Sequence, residues 1–206
     1  MHITGAFCLI FIAMQITWHG LNCLRLEGKE AALLTDPFTE KSGLKLPRSK
    51  TDIVTVSGEG LAADDVSGEP FIIDVPGEYE KMGVFVYGLP WKQSKSESKS
   101  VLFRVNMDDI SFAHIAAADK PLTPDVLETL EGVDVLCLPT EETALSPKDA
   151  AEIINQIEPR VVVLMGDKPQ ALLKEAGAKA ETVDKLKLIK KDLPTDDRRF
   201  YIIERS

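Results

Sequence analysis

The side chains of this chain that could do chemistry are few: 3 histidines, 3 cysteines and acidic residues placed just past apolar runs. Asp36, Glu59, Asp64, Asp65 and Asp167 all follow strand-like stretches. Clustered carboxylates of that kind would suit Mg or Mn rather than Zn, because hard cations take oxygen ligands. Acidic residues past strand ends are also commonly solvated loop or cap residues, and nothing in this spacing selects one pair as acid and base. Ser57 is a candidate nucleophile with His19 or His114 as its imidazole base, but no strand-turn-helix elbow pattern surrounds it. Cys8, Cys23 and Cys137 show no Cys-x-x-Cys spacing, which argues against both a disulfide framework and a cysteine zinc site. Cys23 and Cys137 lie in apolar patterns and are expected to be buried.

The elements that must position these groups follow from hydrophobic periodicity. At 206 residues and 44% hydrophobic, the chain can bury one core and reads as one domain. Short strands are expected at residues 15–18, 23–27 and 31–35 as a meander, then at 53–56, where the run stops at Gly58 and Gly60. Further strands are expected at 71–74 and 84–88, followed by a hairpin of 101–105 and 110–114. Residues 91–100 are a polar Lys/Ser run that reads as a hairpin tip. The second half changes rhythm. Thr123-Pro124-Asp125 and Ser146-Pro147-Lys148-Asp149 each place a hydroxyl residue before a proline at the first helical position. Buried strands at 133–138 and 160–165, a short helix at 170–176 and terminal strands at 186–190 and 200–203 complete the pattern.

Composition excludes some partners. A formal charge of -9 lacks the basic surface that a phosphate backbone requires, so no nucleic acid is expected. The apolar run at residues 6–14 is well short of the ~20 residues of a membrane helix, so no membrane span is expected either. Residues 1–13 read as an extension of doubtful status ahead of a domain at 14–206, with Met14 as the working start. A weak anchor or signal, or an extra strand or helix, are the other readings. Odd cysteine usage fits a cytoplasmic location.

The order Ile16-Thr17-Trp18-His19-Gly20, Leu33-Leu34-Thr35-Asp36-Pro37-Phe38, Ile53-Val54-Thr55-Val56-Ser57 and Pro76-Gly77-Glu78-Tyr79-Glu80 resembles the metallo-β-lactamase superfamily. The branch is that of small Zn-dependent hydrolases similar to ascorbate-phosphate lactonases. The resemblance implies an α/β (α+β) fold, a four-layer αββα sandwich. It also implies a metal motif, Ser-His-x-His-x-Asp-His, where this chain carries Gly58, Gly60, Ala62 and Ala63 at the four ligand positions. Gln93 stands nearest a further histidine position, Ala117 replaces the bridging aspartate of His-Leu-Gly-Asp, and Gly166 replaces the last histidine. His114 matches a residue that the resemblance does not make a ligand; a satisfied, half-buried histidine is the expectation. Zinc sites are built from Cys, His and carboxylates, and none of the replacements is a good donor.

Two functions are compatible with this pattern. In the first the chain has lost metal and hydrolase activity and acts as a pseudoenzyme that binds a small molecule or a protein, with no cofactor and with self-association left open. In the second it is a phosphoester or lactone hydrolase whose site is rebuilt from Asp36, Glu59, Asp64, His114 or Asp167 around Zn, Mn or Mg. Both require Gly58, Ala63, Gln93, Ala117 and Gly166 to converge on one concave site.

Overall fold

A computed structural model of the chain describes residues 13–59, 63–94, 99–140 and 145–206, without the side chains of Asp64 and Lys99. The reading of residues 1–13 as an extension therefore falls almost wholly outside the described residues, as do Gly60, Ala62 and most of the Lys/Ser tip.

Strands β1 (Met14–Gly20), β2 (Cys23–Glu27) and β3 (Ala32–Thr35) form the expected antiparallel meander. β4 (Ile53–Thr55) and β5 (Phe71–Ile73) then add in parallel beside β3. With β13 (Leu186–Leu188) on the far edge they make a six-stranded sheet ordered β13-β1-β2-β3-β4-β5.

The second sheet begins with an antiparallel ribbon, β6 (Gly77–Lys81), β7 (Val84–Lys92), β8 (Lys99–Met107) and β9 (Ile110–His114). Beyond β9 the chain makes parallel strands β10 (Val135–Pro139), β11 (Val161–Met165), β14 (Arg199–Ile203) and β12 (Ala180–Val183). The crossovers are α1 (Pro124–Leu130), α2 (Pro147–Ile157) and α3 (Gln170–Glu175).

Two faces are covered in different ways. The core between the sheets takes alternate residues of every long strand, such as Val101, Phe103, Val105 and Met107 of β8. Opposite-facing residues of the second sheet, Leu102, Ala113, Leu136 and Leu164 among them, pack under α1 and α2. β10 and β11 are thus buried on both faces, as their unbroken apolar runs require. The outer face of the six-stranded sheet has a thinner cover: Cys23, Leu34 and Val54 lie under Phe38, Val66 and the 3-10 turns Glu40–Ser42 and Ala63–Asp65. Burial pushes the Cys137 thiol up to about 12, and burial together with the nearby Asp36 carboxylate raises that of Cys23.

Local expectations differ from the structure in several places, β12 among them, where no strand is expected. Residues 77–81, where no strand is expected from the hydrophobic period, form edge strand β6, since Tyr79 pairs with Val86 and its ring meets Phe71 of β5 edge-on at 6.1 Å. Ser146 caps α2 by accepting the Asp149 amide at 3.1 Å, whereas Thr123 has the extended cap backbone before α1 but makes no side-chain cap bond. The strand expected to reach Lys190 stops at Leu188, and a 3-10 turn, Lys190–Asp192, brings the Lys190 ammonium 2.7 Å from Asp134.

Candidate functional site

The parallel strands of each sheet end together, and Gly58, Ala117 and Gly166 follow their C-terminal ends. His114, Cys137 and Val163 are in register on β9, β10 and β11. Ala117, Thr140 and Gly166 each lie three residues further on, and the Thr140 amide donates to the Met165 carbonyl at 2.7 Å. On the other sheet, Thr35 and Thr55 are in register, which puts Asp36 and Ser57 at the same end. A hydrogen bond from the Val101 amide to the Ser57 carbonyl at 2.9 Å ties the two sheets together here.

The centre of the site is Asp36. It is 2% exposed, adopts φ of 39°, and accepts from the Ser57 amide at 2.7 Å and the Ser57 hydroxyl at 2.5 Å. Left-handed backbone is costly for most side chains and tolerated by Asp and Asn, which explains why a short polar residue ends β3. Burial raises the Asp36 carboxyl above its ordinary range, opposed by the charge of His114 and the two bonds from Ser57. His114 is also buried, and burial lowers its imidazole against the pull of Asp36 and the Asn22 carbonyl.

Its Nε2 lies 3.1 Å from the Asn22 carbonyl oxygen, so Nε2 carries the proton. The Thr35 hydroxyl donates to the same oxygen at 2.8 Å. His114 Nδ1 is buried with no hydrogen-bond partner among the described residues. The expectation of a satisfied, half-buried histidine is thus corrected twice: the ring is fully enclosed and only one nitrogen is used. Asn22 was not legible as a functional residue, because it contributes a backbone carbonyl and any residue type could do so.

Around this centre the motif positions come together in part. The Gln93 side-chain amide donates to the Ala117 carbonyl at 3.3 Å, joining two of them directly. A Cβ built on Gly58 would find Ser100 Oγ at 4.0 Å and nothing closer, so that backbone still has room for a side chain. Gly166 differs. Its φ of 123° excludes a comfortable histidine, so this position is altered in backbone as well as in side chain. Ala63 is half-buried in the 3-10 turn against the outer apolar cluster.

Weaker candidates separate. Glu59 and Asp65 are exposed, and the Asp64 side chain lies outside the described residues. Asp65 lines a cleft of about 360 Å³ with Phe38, Glu40, Lys45 and Arg48. Asp167 lies beside Gly166 in another cleft of about 330 Å³ with Trp18, Gln170, Thr182 and Arg205. His19 Nδ1 and the Ser206 hydroxyl share a hydrogen bond at 3.0 Å. The Ser57 hydroxyl donates its hydrogen bond to Asp36, not to an imidazole, which leaves the serine-nucleophile reading without its base.

The fold implies a zinc centre, and the donors do not fit one. The described positions offer hydrogens, methyl groups and one amide already bonded to Ala117. Among the described residues no group of three or more His, Cys, Asp or Glu side chains lies close enough to hold a metal ion. Asp36, the most buried carboxylate of the site, spends both oxygens on Ser57.

Likenesses to known proteins agree with the fold. The closely superposing structures include a candidate Zn-dependent hydrolase of the metallo-β-lactamase superfamily from Thermotoga maritima, 26% identical, with 94% of this chain and 100% of that one covered at a TM-score of 0.79. A candidate metal-dependent hydrolase from Parabacteroides distasonis is 14% identical over 94% of both chains at 0.63. The metallo-β-lactamase fold protein YhfI from Bacillus subtilis is 12% identical, covering 95% of this chain and 98% of its own at 0.62. No curated protein matches. The model of the β-lactamase superfamily domain matches residues 15–166, and with the two-sheet sandwich in place the chain belongs to that superfamily.

Proposed function

We propose that this protein is a metal-free member of the superfamily that keeps the sandwich and the cleft at its strand ends but uses them for binding a small molecule or a protein, not for hydrolysis. The observation that carries the reading is the donor set: Gly58, Ala63, Gln93, Ala117 and Gly166 stand where the family resemblance places ligands, and Gln93 is bonded to Ala117 instead. Hydrolases of this fold rely on bound metal for hydroxide at neutral pH and for polarising the scissile bond, so a chain without the ligands loses both together. The supporting carboxylate persists because it serves the fold: Asp36 and Ser57 join the ends of β3 and β4.

Ligands of open α/β sheets sit outside the carboxyl ends of the strands, and the cleft beside Trp18, lined by Gly166 and Asp167, is in that position. The test is elemental analysis of purified protein together with melting in added Zn, Mn and Mg. No stoichiometric metal and an unchanged Tm are expected. A ligand at a hundred times its Kd would stabilise the native state by about 2.7 kcal/mol, so a large shift at micromolar zinc would refute the metal-free reading and favour a rebuilt carboxylate site.

A further inference from the structure

On the outer face of the second sheet, away from the strand ends, β7 and β8 present a pocket of about 270 Å³ lined by Tyr87, Arg104, Asn106 and Thr129. Tyr87 is opposite Arg104 and Phe85 is opposite Asn106, so the four side chains form one block on one face. Among the described residues Arg104 makes one hydrogen bond, from Nη1 to the Thr129 carbonyl at 2.5 Å, and no ion pair with a carboxylate. Its Nε is shielded from solvent and has no acceptor. Asn106 Oδ1 is likewise buried without a donor. Phe85 stands beside them with 47% of its surface exposed.

These features do not offset one another inside the protein. A half-buried guanidinium without a counter-charge is unusual in a chain of formal charge -9, which has acidic residues to spare. The bond to Thr129 uses Nη1 and leaves the Nε edge of the guanidinium, which with Nη2 is the fork that takes a carboxylate or phosphate in two parallel bonds. Asn106, two residues along the same strand face, calls for a donor a few ångströms from that anion. Tyr87 supplies an aromatic wall.

We propose that this pocket binds a small anion that also carries a hydrogen-bond donor, the anion on Arg104 and the donor on Asn106, with a hydroxycarboxylate as the fitting class. Inorganic phosphate as its monoanion has the same two capacities and is the other source of that chemistry. The site is independent of the strand-end cleft and stands or falls apart from the metal-free reading.

Calorimetric titration of the full chain with L-lactate, propionate and inorganic phosphate, each at fixed ionic strength, tests it. Lactate is expected to bind, propionate to bind at least about tenfold more weakly for want of the donor, and Arg104→Lys to weaken lactate by about tenfold or more because the fork is lost while the charge remains. Asn106→Leu should abolish the difference between lactate and propionate with the melting temperature as the folding control. Should Arg104→Lys fail to fold, Tyr87→Phe on the opposite wall and Asn106→Leu still carry the test. Phosphate binding that both Arg104→Lys and Asn106→Leu weaken, with lactate inert, supports the site and assigns it to phosphate. Absence of binding by all three probes, or binding that none of the variants alters, overturns the proposal.

Discussion

Among the described residues two aspartates, Asp36 and Asp134, are buried at opposite ends of the parallel strands, and their surroundings differ. Asp134, at the N-terminal end of β10, is 3% exposed and accepts from the Ser111 amide and hydroxyl, both at 2.9 Å. It also receives the Lys190 ammonium at 2.7 Å and has the Arg160 guanidinium 3.7 Å away. Asp36, at the C-terminal end of β3, is as buried but among the described residues has only Ser57 to satisfy it, with the His114 imidazole near it. The first carboxylate is compensated by charge. The second is compensated by hydrogen bonds, in a place where the resemblance puts metal ions.

A buried acid without a cation is pushed toward its neutral form, and that is the direction found for Asp36. The contrast teaches where the chain depends on charge for its stability and where charge has become dispensable.

The comparison breaks most sharply at Asp134. Asp134→Ala should lower stability by about 2–4 kcal/mol in a urea melt, because it removes a buried acceptor from Ser111 and releases two cations. A loss within experimental error would mean that the Lys190 turn is held by packing alone.

A smaller effect is expected from acid. His114 is lowered, so the unfolded state binds the proton first as pH falls below 6.5, and native stability should decline from there downward. Urea midpoints of wild type and His114→Gln measured across that range should converge toward low pH; parallel curves would show that the ring is not buried neutral.

Least of all should be Asp36→Asn, expected to change stability by no more than about 1 kcal/mol, since Asn tolerates the left-handed backbone and keeps an acceptor for the Ser57 amide. The sign with pH is opposite to that of His114. A raised carboxyl contributes stability at acid pH that is lost as pH rises from 3.8 through the folded value, and Asp36→Asn removes that slope. A loss as large as that of Asp134→Ala would show that the Asp36 charge is still required.

Much of the fold was legible because hydrophobic period and length agree: β10 and β11 are unbroken apolar runs, and α2 carries its stripe behind Ser146-Pro147. Less local features were not. β6 is a strand because β7 pairs with it, which no property of Gly77-Glu78-Tyr79 announces. The end of β13 was misplaced because Lys190 is drawn to a carboxylate 56 residues away in sequence.

For the site, the loss of donor side chains could be read from residue type alone once the motif frame was set. The backbone change at Gly166 could not, since glycine is compatible with either sign of φ. Nor could the enclosure of His114, which depends on the carbonyl of Asn22, nor the open fork of Arg104, which depends on what α1 leaves uncovered.

The two buried thiols lie at unequal depths, and that gives the chain two internal clocks. Cys23 is under the thin cover of Phe38, Val66 and the 3-10 turns, whereas Cys137 is in the core between the two sheets on β10, flanked by β9 and β11. A disulfide reagent reaches a thiol only when its cover opens, so labelling of Cys23 times the detachment of that outer layer and labelling of Cys137 times the parting of the sandwich. With Cys8 replaced by serine, the ratio of the two rates would measure how much of the molecule must open before the strand-end cleft loses its floor.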